Sequence, residues 1–70
     1  MERIPVSSSN LHSVGYDSER SVLEIKFHGG GIYQYSRVPI AMYQGLMTAA
    51  SHGEYFHAFI REVYPYRKVG

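Results

Sequence analysis

The stretch Val22-Leu23-Glu24-Ile25-Lys26-Phe27-His28-Gly29-Gly30-Gly31-Ile32-Tyr33-Gln34-Tyr35 decides how this chain folds. Its first six residues alternate, with Leu23, Ile25 and Phe27 on one side and Val22, Glu24 and Lys26 on the other. That is the two-residue period of a strand with one apolar and one wet face. Three glycines then permit the positive φ values of a tight reversal, and Ile32 to Ser36 returns as the second arm of a hairpin. Upstream, Asp17-Ser18-Glu19-Arg20 supplies polar turn residues, so Leu11 to Asp17, the weakest pattern of the three, reads as a further strand. The expectation is an antiparallel three-stranded meander.

Two hairpin registers are open. With Gly29-Gly30 as a two-residue turn, Phe27 opposes Ile32, and Tyr33 and Tyr35 fall beside Lys26 and Glu24 on the polar face. With all three glycines in the loop, Phe27 opposes Tyr33, Ile25 opposes Tyr35, and both rings join the apolar face. Favourable aromatic and β-branched cross-strand pairs speak for the second.

Beyond the strands the period lengthens to about 3.6 residues. Pro39 suits the first turn of a helix, and Ile40, Tyr43, Leu46 and Met47 share a stripe, although Gly45 weakens that helix by about 1 kcal/mol. Ser51-x-x-Glu54 is a capping box that opens a second helix, along which Phe56, Phe59, Ile60 and Val63 form the apolar stripe until Pro65 ends it. The fold expected is α+β, a three-stranded antiparallel meander followed by two helices packed on one sheet face.

With 70 residues there is room for one domain, spanning 1–70. Hydrophobic residues at 44%, aromatics at 14% and charged residues at 19% are the composition of a chain that folds. The absence of cysteine excludes a disulfide framework and a Cys-ligated zinc site. No run of eighteen apolar residues occurs, and Met1 to Pro5 leads into polar Ser7-Ser8-Ser9-Asn10, so no membrane contact is expected and the protein is read as soluble and cytoplasmic. The net charge of +1 is far from that of a dedicated nucleic-acid binder, but it is unevenly placed. From residue 61 onward Arg61, Arg67 and Lys68 stand against Glu62 alone.

His12, His28, His52 and His57 offer the only acid–base groups near neutral pH, and their spacing assembles nothing. His52 and His57 diverge on a helix, and no His-x-x-x-His pair or carboxylate cluster supplies a metal site. His12 and His28 lie on neighbouring strands without a nucleophile or phosphate loop. The glycine triplet sits between strands, whereas a phosphate cradle precedes a helix. The reading is therefore non-catalytic, with no metal and no cofactor.

Seven tyrosines without a tryptophan are the unusual feature of the composition. Tyr16 and Tyr43, among apolar neighbours, are assigned to the core; Tyr33 and Tyr35 follow the hairpin register. The richest constellation is Arg61, Tyr64, Tyr66, Arg67 and Lys68, where cations suited to phosphates are interleaved with rings on which unpaired bases stack. The plainer reading gives Tyr64 to helix packing and the terminal charges to solubility. Ser8, Ser9 and Asn10 form a polar loop that either reads polar edges of a ligand or caps a strand through local bonds.

Taken together, Ser8-Ser9-Asn10-Leu11, Ser13-Val14-Gly15-Tyr16-Asp17, Tyr33-x-Tyr35 with Val38-Pro39 close behind, and Ser51-x-Gly53-x-Tyr55-Phe56 leading to Ile60-Arg61 and Tyr64 resemble the KTSC domain. That family consists of short bacterial and phage-associated domains, found at the C-terminus of some lysyl-tRNA synthetases and as stand-alone proteins. The resemblance runs over nearly the whole chain, and His57 stands where asparagine is expected. It implies a domain of unknown function for which RNA binding has been suggested. The combined expectation is a non-catalytic module that binds RNA through Arg61, Tyr64, Tyr66, Arg67 and Lys68 with the Tyr33-x-Tyr35 face. The alternative is a protein-interaction or homodimerisation module, through an exposed sheet edge or an aromatic patch.

Overall fold

The alternation of residues 22–27 is realised in the computed structural model, which describes residues 1–70, as the central strand of an antiparallel sheet. The elements are β1 (Ile4–Pro5), β2 (Leu11–Asp17), β3 (Val22–Phe27), β4 (Ile32–Tyr35), α1 (Ile40–Thr48), α2 (His52–Phe59) and β5 (Tyr66–Lys68). The expected meander is β2–β3–β4, and the structure adds an edge strand on each side, giving the order β1-β2-β3-β4-β5. The fold is α+β, with Leu46 of α1, Phe56 of α2 and the following Ile60 buried with Leu11, Val14, Leu23, Ile25, Tyr35 and Val38 in a single core.

Leu11 and Val14 are both fully buried although three residues apart, because the β2–β3 ladder slips at His12. Leu11 pairs Phe27, whereas Ser13 pairs Lys26. A bulge of this kind breaks strict alternation, which is why β2 had the weakest pattern. Ser13, directed to the outer face, accepts a hydrogen bond from Arg3 Nε at 3.2 Å. Arg3 also pairs with the buried Glu24 at 2.6 Å, and Gln34 Nε2 donates to the other carboxylate oxygen at 2.8 Å. The N-terminal segment is thereby fastened over the sheet, close enough that a Cβ on Gly15 would lie 2.7 Å from the Glu2 carbonyl oxygen.

Neither expected hairpin register occurs. Lys26 faces Ile32, Ile25 faces Tyr33 and Leu23 faces Tyr35, and the Phe27 amide donates to the Gly31 carbonyl at 3.1 Å. The ladder is one residue away from the two-glycine register and two away from the three-glycine one. An offset of two preserves the face, so Tyr33 and Tyr35 do point to the apolar side. Among the three glycines only Gly31 has a positive φ, of 46°.

Ser51 caps α2, accepting from the Glu54 amide at 3.2 Å, but the return bond of a full capping box, from the Ser51 amide to the Glu54 carboxylate, does not form. The helix does not run to Pro65. It ends at Phe59, the chain reverses through Glu62 at φ 64°, and Phe59 and Val63 of the predicted stripe are left half-exposed or more. In α1, Leu46 is buried and Tyr43 and Met47 pack against the core, while Ile40 is half-exposed. Tyr16 and Tyr43 stack with ring centroids 5.1 Å apart, and the Tyr16 hydroxyl donates to the Val38 carbonyl at 2.6 Å.

Candidate nucleic-acid interface

The early end of α2 leaves the β4–β5 side of the inner sheet face uncovered. On that strip the side chains of Tyr33, Tyr35, Tyr66 and Lys68 follow the strand period, since Tyr35 pairs Tyr66 and Tyr33 pairs Lys68. A groove of about 1110 Å³ results. Its floor is aromatic, one wall is Gly53 and His57 of α2 with Arg61 just past the helix end, and its ends are the hairpin tip, the Ser9-Asn10 loop and Glu62.

The floor is a connected set of rings. Phe27 meets Tyr33 and Phe56 edge-on at 5.6 and 5.4 Å, and Phe56 meets Tyr35 at 5.6 Å. Tyr66 is tilted against both Tyr33 and Tyr35, at 5.8 and 5.6 Å, and is itself 60% exposed. Edge-on and tilted contacts at these distances are the favourable arrangements for aromatic quadrupoles. They seat the exposed Tyr66 ring against Tyr33 and Tyr35. Burial, together with the neighbouring Tyr66 and Tyr33 phenols, pushes the Tyr35 hydroxyl up to about 12, against a smaller opposing pull from the Arg61 charge.

Two cations face this floor without a carboxylate partner, because the ion pairs of the molecule are Arg3–Glu24 and Arg20–Asp17. Arg61 Nη1 lies 3.1 Å from both ring nitrogens of His57, one helical turn earlier. Lys68 passes over Gly31, where a Cβ would come within 2.5 Å of its Cε and 3.3 Å of a Tyr33 ring carbon. The bare α-carbon of Gly31 thus makes the lane along which the lysine reaches the groove. Glu62 is the one carboxylate in the lining.

Of the residues singled out from sequence, Ser9, Asn10, Tyr33, Tyr35, Arg61, Tyr66 and Lys68 line the groove. Three others do not. Arg67 pairs with Gln34 in the ladder and so points to the opposite face of the sheet. Tyr64 packs against the core. Ser8 lines a smaller polar pocket of about 310 Å³ next door, and its hydroxyl accepts from the Asn10 and Leu11 amides at 3.2 Å, the local capping role. The expected grouping of Arg61, Tyr64, Tyr66, Arg67 and Lys68 is therefore corrected: strand alternation turns Arg67 to the opposite face, core packing takes Tyr64, and Arg61, Tyr66 and Lys68 remain together. Sequence reading missed Phe27, Phe56, Glu62, Gly29, Gly30 and Gly53 as lining residues, and it weighed His28 and His57 only as acid–base groups, with His57 also noted as a departure from a family pattern. His28 Nε2 lies 3.0 Å from the Ser8 carbonyl, and its ring meets His12 edge-on at 5.4 Å. No three His, Asp or Glu side chains converge anywhere.

A profile of the KTSC domain matches residues 7–64. The crystal structure of a KTSC domain protein from Yersinia pestis superposes with a TM-score of 0.97 at 43% identity, covering 99% of this chain and 97% of that one. An uncharacterised protein of Stutzerimonas stutzeri is 42% identical over 57 residues, 81% of this chain and 80% of its own length. A lysine–tRNA ligase of Trichormus variabilis is 35% identical over 54 residues, which are 77% of this chain and 10% of the ligase. Sequence profile and solved structure agree over nearly the whole length, and the chain belongs to the KTSC domain family.

Proposed function

We propose that this KTSC domain is a non-catalytic RNA-binding module that takes unpaired nucleotides into the groove between β5 and α2. The observation that carries the reading is the sharing of one groove by an exposed ring, Tyr66, and two cations free of carboxylate partners, Arg61 and Lys68. Rings accept the faces of unstacked bases whatever their sequence, and cations take the phosphates that follow. Similarity to a segment of a lysine–tRNA ligase is consistent with an RNA ligand, although the match spans a tenth of that enzyme.

Self-association through the sheet edge has less to support it. The two edges are short: β5 has three residues and carries Arg67 and Lys68, and β1 has two and includes Pro5, and short edges bearing charge or proline resist strand addition. No helix is long and apolar enough to cross a membrane.

The test is titration of isotope-labelled protein with mixed tRNA and, separately, with single-stranded RNA of random sequence, at low and then physiological salt. Shifts are expected at His57, Arg61, Tyr66 and Lys68 and at the Tyr33 and Tyr35 rings. Neutralising two phosphates at ~0.7 each gives a log–log salt slope of about −1.4. Absence of shifts at both salts sinks the reading, and a mass that rises with protein concentration would then favour the interaction module.

A further inference from the structure

The glycines of this chain divide according to whether the fold needs them. At Gly31 and Gly45 an added Cβ would collide with Lys68 and with Tyr55, and Gly31 also has a positive φ. At Gly29 and Gly30 an added Cβ would meet nothing within 4 Å, and neither residue has a positive φ. At Gly53 the nearest atoms, Asn10 Nδ2 at 3.5 Å and Ser8 Oγ at 3.7 Å, are at ordinary contact distance. Glycine costs chain entropy wherever its freedom is not used. All three of these unexplained glycines line the groove.

A second observation concerns their main chain. Gly29 and Gly30 lie between β3 and β4, and neither their amides nor their carbonyls have a hydrogen-bond partner in the protein. The hairpin tip therefore places main-chain groups without a protein partner, and bare α-carbons, among the residues that line the same groove as Lys68, whose stem crosses Gly31 at the next position. The tip is no helix-capped cradle for a single phosphate group, but main-chain groups and lysine also position an extended sugar–phosphate chain, and only glycine lets a ligand reach van der Waals contact with the backbone itself.

We propose that the sugar–phosphate backbone of a bound single strand runs against the main chain of Gly29 and Gly30, with Gly53 on the facing wall, while its bases lie over Tyr66 and Tyr33. The inference rests on the RNA reading and deepens it by assigning the strand's backbone to the hairpin tip and its bases to the β5 side. The affinity it accounts for is tolerant of sequence, because neither phosphates nor ring faces carry a base code.

The experiment measures binding of a fluorescent oligouridylate to the full chain and to a Gly29→Ala/Gly30→Ala variant and a Gly53→Ala variant, with thermal unfolding of each. Binding should weaken by about tenfold in the double variant. Its thermal midpoint should stay unchanged or rise by up to roughly 3–16 °C for the two sites together, since alanine restricts the unfolded chain at sites where it fits. Equal affinity in all three proteins overturns the glycine assignment, and a Lys68→Ala variant that still binds more weakly would then leave the RNA reading standing. A wild-type chain that does not bind the oligouridylate overturns both. Should the double variant fold poorly, the Gly29 and Gly30 amide signals of the wild-type protein decide: they shift with the oligouridylate among the largest changes, or the proposal falls.

Discussion

The phenol end of Tyr55 on α2 lies against the bare α-carbon of Gly45 on α1, so closely that a Cβ there would come within 2.6 Å of Tyr55 Cζ. The same tyrosine hydroxyl approaches Met42 Sδ at 3.7 Å. A residue that weakens its own helix thus sets the distance between two helices. Gly45→Ala should destabilise the domain by about 1–3 kcal/mol through overpacking, outweighing the roughly 1 kcal/mol gained in helix propensity. In a Tyr55→Leu background the same substitution should be neutral or favourable. Urea unfolding of the four proteins of this cycle measures the coupling, and additive effects would contradict the contact.

The hydrogen-bonded carboxylate on the outer face makes stability fall in acid. Burial pushes the Glu24 carboxyl up, but its bonds from Gln34 and Arg3 and the Arg3 charge outweigh that and hold it below the usual 4.5. A group with a depressed folded pKa contributes stability above its unfolded value, and the contribution is lost as pH falls from about 4.5 through the depressed value. Arg3→Ala should cost about 1.5–3 kcal/mol at neutral pH, since it leaves a carboxylate that is 8% exposed without its cation. Glu24→Gln should flatten the acid limb of the stability curve. Denaturant midpoints measured from pH 7 downward check both.

At the alkaline end the sign is reversed. Tyr35, buried and next to Tyr66 and Tyr33, titrates near 12 instead of 10.0, so the folded state holds the phenolic proton more tightly than the unfolded chain does. Its contribution is complete below pH 10 and disappears as pH rises from 10 to about 12. Ultraviolet titration of phenolate should show a late step near pH 12 that Tyr35→Phe removes. If the wild-type and variant curves coincide in that range, the ring is not buried as described.

The parts of this fold that were legible in sequence are those set by local period and chemistry. Val22–Phe27 alternates because one face is buried, and Ser51 and Glu54 announce the start of α2 because orphan amides need acceptors. The edge strands were invisible, since two residues at Ile4–Pro5 and three at Tyr66–Lys68 show no period and form only by pairing with distant partners. The hairpin register was ambiguous because three successive glycines permit loops of several lengths at similar cost. The candidate site followed these limits. Arg61, Tyr66 and Lys68 share the groove, but Arg67 and Tyr64 left it once the tail became a strand and α2 stopped at Phe59. Phe27 and Phe56 looked like ordinary core positions, and only the short helix exposes them to the groove.

Arg67 and Lys68 are neighbours of like charge on opposite faces of β5, and this separates binding in the groove from general attraction to a basic terminus. Lys68→Ala should weaken oligouridylate binding and reduce the magnitude of the salt slope by ~0.7, the loss of one neutralised phosphate on a single strand. Arg67→Ala removes the same charge from the face that carries Gln34 and Glu24, where its effect is limited to screened attraction across the sheet. At physiological salt the Arg67 variant should bind within about twofold of wild type. Fluorescence anisotropy at several salt concentrations reads both quantities. Equal losses in the two variants would mean that the charge of the terminus, wherever it points, is what the ligand senses, and the groove would have no claim to the strand.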